Sequence, residues 1–191
     1  MRLIVSLTLC GSLIWLSGGC RSGLDGAAGD VKVVIEGGEP FPEALRGRWQ
    51  ADRDGWQLVF EADGRVSAAV ISMGRVEIRP GARTTVPTRS GGQGVFDPGL
   101  WSVYYTPGTQ ELTVRISMDY VRVEMGENTL EGKSTDIFAG TVAPAEGLWQ
   151  AEWTTFTDYT ARTPQGQTFK LATDATYGEN KLLTFRKVPD E

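Results

Sequence analysis

Histidine is absent from all 191 residues, and that absence excludes a good deal of chemistry. Without imidazole there is no Ser-His-Asp or Cys-His nucleophile, no imidazole general base and no His-ligated metal site. Cysteine is scarce too: of the two, Cys10 lies inside an N-terminal apolar run and Cys20 closes it. A chain trimmed before Cys20 keeps one thiol and forms no disulfide of its own. A basic excess is also missing, since 24 Asp and Glu outweigh 19 Lys and Arg. That argues against a nucleic-acid partner, which demands a positive footprint. Arg75, Arg79, Arg83 and Arg89 are spread along one segment and read as solvated loop cations. No loop has the acidic spacing of a calcium site. Neither a metal nor another cofactor is expected.

What is present begins at the N terminus. Arg2 precedes an apolar run, 3–16, which is too short and interrupted for a transmembrane span and has the layout of a secretory signal. Small residues then lead to Cys20. The ending Leu16-Ser17-Gly18-Gly19-Cys20 resembles the lipobox of bacterial lipoproteins, with Ser17 where that family usually has Leu. The resemblance implies a signal peptide over 1–19 and acylation of Cys20, giving a membrane anchor. The alternative is a plain signal peptide cut nearby, leaving a free thiol. Acylation would also remove a thiol that is awkward in an oxidising compartment, and two or more chains on one cysteine give stable anchoring. Arg21 follows the cysteine rather than the Asp that the sorting pattern uses for inner-membrane retention. The expected place is therefore the cell envelope, at the outer membrane where the cell has one. Residues 21–30 are small and polar, and 20–40 is read as a flexible tether. Within it 31–35 has strand composition, so an added edge strand is the other reading.

The remaining stretch, 41–191, is long enough for one domain with a real core. Residues 41–45 suit one short helical turn. From Gly47 onward apolar and polar residues alternate: Trp56, Leu58 and Phe60 share one face, 62–65 is a tight-turn signal, and 66–71 returns. Clean alternation recurs over 112–118 and 121–125, with a turn at 126–128. Further strands are expected at 74–78, 137–142, 148–156, 168–172 and 182–188. No amphipathic helix exceeds about two turns. The expected fold is all-β: an antiparallel up-and-down barrel, or an open barrel or sandwich, with no long helix after the signal. One segment breaks the rhythm. Residues 79–99 hold three prolines and several glycines and read as a long loop, a kind that is usually functional or disordered. Ser90-Gly91-Gly92-Gln93-Gly94 lacks the closing Lys and the helix of a phosphate loop. Gly47-Arg48-Trp49-Gln50-Ala51 is echoed by Gly147-Leu148-Trp149-Gln150-Ala151, but the flanks do not continue the match.

Gly47-x-Trp49 on the first strand resembles the opening motif of lipocalins and the wider calycin group. Thr157-Asp158-Tyr159 is similar to their second motif, and Arg186 stands where the third has its Arg. The resemblance implies a barrel enclosing a small apolar ligand, with Arg186 laid across Trp49 as a structural stack. The chain ends five residues after Arg186, with no room for the family's packed helix, so the expectation is a helix-less calycin-like barrel.

Trp101, Tyr104, Trp153 and Tyr159 are the candidate ligand-lining residues, because indole and phenol rings offer apolar area with a polar tip. Core packing is the competing explanation for each. Carboxylate pairs such as Asp52 and Asp54, or Glu152 and Asp158, have no fixed separation of the kind glycoside hydrolysis needs. No catalytic residue is assigned, and the chain is not expected to be an enzyme. The sequence thus points to a membrane-anchored lipoprotein whose barrel binds a small hydrophobic or amphipathic ligand under the 79–99 loop. The alternative is a filled barrel that binds an envelope protein partner.

Overall fold

Strands that carry an apolar side chain at every second position have to bury one face, and the protein does this with a single sheet curled around its own aromatic side chains. The computed structural model describes residues 31–73, 75–172 and 179–189. Cys20, the signal segment and the tether up to residue 30 lie outside these. The strands are β1 (Val31–Ile35), β2 (Gly47–Ala51), β3 (Gln57–Phe60), β4 (Val66–Ile71), β5 (Val76–Ile78), β6 (Thr84–Pro87) and β7 (Gln93–Pro98). They continue as β8 (Trp101–Thr106), β9 (Glu111–Met125), β10 (Asn128–Ala143), β11 (Leu148–Arg162), β12 (Thr168–Ala172) and β13 (Glu179–Lys187). Their hydrogen-bonded order is β1-β8-β9-β10-β11-β13-β2-β3-β4-β5. β1 runs parallel to β8, and the other pairs are antiparallel. The two ends of this order do not pair, so the fold is an all-β, mixed and open sheet.

The three long strands give the sheet two halves. Along its first half β9 pairs β8, and along its second half it pairs β7, which in turn carries β6. β11 likewise pairs β13 and then β12. A bulge lets β9 serve both neighbours: Gly132 and Ser134 face Val121 and Met118, leaving an extra residue in β9. The inward face of β9 changes phase there, from Leu112, Val114 and Ile116 to Val121, as a single inserted residue requires.

The first half is filled. Phe41 stacks on Phe60 at 5.8 Å, Phe60 meets Trp149 at 6.5 Å, and Trp149 lies 4.7 Å from Phe185. From Trp149 the rings continue to Phe138, then to Trp56 at 4.9 Å and on to Trp153. Burial of such rings, with edge-to-face contacts adding about 0.5–1.5 kcal/mol each, supplies the cohesion of the sheet. The turn between β3 and β4 closes the curl against β1. Gly64 there has φ +84°, and an added Cβ would lie 2.8 Å from Phe41 and 3.1 Å from Val33. Only glycine satisfies both the conformation and the contact.

Of the two readings of 31–35, the structure takes the added edge strand: Val31–Ile35 joins the sheet as β1, paired with β8. Two sequence expectations change. The 79–99 segment is a hairpin, β6–β7, rather than a loop. Pro87 ends an edge strand and Pro98 sits at a register shift, places where a missing N–H breaks no ladder. The Trp49–Arg186 stack is not formed. On β13, Leu183 and Phe185 are buried, so period two turns Arg186 out to solvent beside Gln50. Trp49 is fully buried and instead donates its indole N–H to the Leu45 carbonyl at 2.8 Å.

Candidate functional site

The aromatic filling stops at Trp153, and polar side chains take over the inner face beyond it. On β11 the inward positions run Trp149, Ala151, Trp153, Thr155, Thr157 and Tyr159; on β10 they run Val142, Gly140, Phe138, Asp136 and Ser134. Register sets Phe138 against Trp153, Asp136 against Thr155, and Ser134 against Thr157. Four oxygen-bearing side chains therefore share one patch of inner sheet. Gly132 stands opposite Tyr159, and a Cβ there would run into the Asp158 backbone carbonyl and come within 2.8 Å of Tyr159, so the missing side chain is what lets β10 and β11 approach this closely.

A cavity of about 150 Å³ lies above this patch. Trp56, Trp153, Tyr159, Phe96 and Met118 form its apolar walls, and Asp136 is its one carboxylate. Asp136 is 7% exposed. Trp153 donates its indole N–H to Asp136 Oδ1 at 2.9 Å, and Thr155 adds a second hydrogen bond. Burial outweighs both and pushes the Asp136 carboxyl up to about 6. Tyr159 is raised as well, by burial first and by the nearby Asp136 charge, against a hydrogen bond with Ser134. The indole N–H of Trp56, fully buried, has no hydrogen-bond partner among the described residues. A desolvated donor of this kind is costly unless something pairs with it.

A groove of about 410 Å³ adjoins the cavity and shares Met73 and Phe96 with it. The β6–β7 hairpin forms its roof through Val86, Pro87 and Gly94, and Arg75 and Arg89 stand along it. Among the described residues no group of three or more His, Cys, Asp or Glu side chains is placed to hold a metal ion.

The sequence candidates divide evenly. Trp153 and Tyr159 line the cavity. Trp101 is core, buried with its N–H on the Ser117 carbonyl at 3.1 Å. Tyr104 is 41% exposed on the outer face, with the Lys32 ammonium 5.6 Å from its ring. Asp158 also points outward and pairs with Lys170 at 2.7 Å, which holds its carboxyl below the ordinary value. The residue that sequence reasoning missed is Asp136. Ser134 and Asp136 come level with the threonines of β11 only through the register of the paired strands.

The geometry defines a class: an open all-β sheet, packed with aromatics in one half and holding a small amphipathic cavity in the other. Comparison with known proteins goes no further, as no family model, no curated protein and no solved structure matches the chain.

Proposed function

We propose that this protein is an envelope lipoprotein, anchored through an acylated Cys20, whose β-domain binds a small hydrophobic or amphipathic ligand without turning it over. The observation that carries the reading is the cavity beyond Trp153, where apolar walls meet a buried carboxylate. Its size narrows the ligand. About 150 Å³ admits roughly one ring, as engineered apolar cavities of that volume do. The inserted part is therefore compact, and any remaining length lies in the groove beneath the β6–β7 hairpin. Sterol or haem does not fit between strands already filled by Trp149, Phe138 and Phe185. The calycin-like part of the reading now rests on the buried Trp49 of β2, since Arg186 takes no part.

A specific observation favours a second reading, a protein partner in the envelope. Phe169 and Leu171 on the edge strand β12 are each 52% exposed, and unpaired strand edges with apolar side chains are docking sites for another chain. One experiment separates the two. The full chain, purified in a maltoside detergent, is titrated with short amphipaths, a fatty acid, a sterol and a haem while Trp emission is followed. Saturable binding of the short amphipaths, weakened in Trp153→Phe, supports the ligand reading. A folded protein that binds none of them refutes it, and crosslinking in the envelope then tests the partner.

A further inference from the structure

We propose that the group received by the cavity is a small organic cation, a methylated or protonated amine. The inference rests on the ligand-binding reading above and names the ligand's chemistry. Three features of the cavity carry it. First, Asp136 is its single charged lining residue, and no cation among the described residues neutralises it: its partners are the Trp153 indole and the Thr155 hydroxyl. An ionised carboxylate so enclosed is stabilised most by a positive partner. Second, the walls are the faces and edges of Trp56, Trp153, Tyr159 and Phe96, together with the soft thioether of Met118. Ring faces attract ammonium groups, and a desolvated contact is worth about 2 kcal/mol. Third, the volume, about 150 Å³, suits a trimethylammonium-sized head.

The neighbourhood supports a dependence on pH. On β11 the titratable group beside Asp136 is Tyr159. On β13, Lys181 lies 5.1 Å from the Trp153 ring centre and 3.4 Å from Asp54, which precedes β3. β7 and β9 face the cavity with Phe96, Met118 and Val121, none of which titrates. Since the Asp136 carboxyl titrates near 6, cation affinity rises as the pH passes upward through that value.

The test is a calorimetric titration of the full chain in maltoside detergent with choline and with 3,3-dimethylbutan-1-ol, its uncharged carbon counterpart. Potassium chloride serves as the ionic control. At pH 7.5 choline is expected to bind about thirty-fold more tightly than the alcohol, with the preference shrinking at pH 5. Asp136→Asn should cut the preference for choline over the alcohol severalfold, toward what the ring faces alone supply; its thermal unfolding, measured alongside, reports that it is folded. Equal binding of choline and the alcohol overturns the cation assignment and leaves the ligand reading standing. Binding of neither, while another amphipath binds, has the same consequence. Binding of no compound at all removes both.

Discussion

Replacing Asp136 with Asn should stabilise the protein at neutral pH, and the size of the gain can be worked from the structure. The carboxyl is 7% exposed and is pushed up from 3.8 to about 6, chiefly by burial. Its pKa is higher in the folded chain than in the unfolded one. The group's contribution is therefore fully present below about pH 4 and lost as pH rises through about 6. A shift of roughly two units corresponds to about 3 kcal/mol. Asn keeps a carbonyl oxygen for the Trp153 N–H and an amide that can turn to the Thr155 hydroxyl, so it removes the charge without orphaning its partners. The expected result is a variant equal to the parent near pH 4 and about 3 kcal/mol more stable at pH 8, a rise of roughly 6–12 °C in melting temperature. Carboxylates held low by exposed partners, such as Asp97 with Arg83 and Asp158 with Lys170, bend both curves alike and cancel in the difference. Urea unfolding at half-unit steps from pH 4 to 8 is the assay. Parallel curves for variant and parent would falsify the assignment of Asp136 as a desolvated, uncompensated charge.

Four further outcomes are expected from the same measurements of stability. Trp153→Phe keeps a ring but deletes the donor to Asp136, so it should destabilise by about 1–3 kcal/mol at pH 8. Much of that loss should vanish in the Asp136→Asn background, as a double-mutant cycle will report. Phe138→Ala opens a void among the rings of Trp56, Trp149, Trp153 and Phe185 and should cost about 3–5 kcal/mol. Gly64→Ala forces a Cβ to within 2.8 Å of Phe41 at φ +84° and should cost about 1–3 kcal/mol. Arg186→Ala should change stability by less than about 0.5 kcal/mol, because the side chain is exposed; a loss several times larger would restore the calycin-type stack with Trp49.

How far the sequence discloses this fold depends on whether period two was allowed to constrain the choices. Trp101 and Tyr104 sit three apart on one strand, so β8 must send them to opposite faces, and only one of them can ever line an interior. Trp153 and Tyr159 sit six apart and must share a face. Period two alone would have set Tyr104 apart from Trp101, whereas Trp101 falls in the core rather than the cavity through packing. Asp136 was harder. Ile137 and Phe138 are both apolar, so the phase of β10 is undetermined by its own residues, and an Asp ahead of them resembles the end of a turn. Its placement comes from elsewhere: Ile116 on one side and Thr155 on the other fix the register, and the extra residue in β9 resets which side chains face inward. Those are pairings between strands far apart in the chain, which a local pattern does not encode. The 79–99 hairpin was obscured for a related reason. Its prolines look like loop punctuation until one knows that β6 is an edge, where a strand tolerates them. The parts read correctly from sequence are thus those governed by neighbours two residues away. The parts missed are those governed by register, and the cavity, built where β10 and β11 bring their polar positions level, belongs wholly to the second kind.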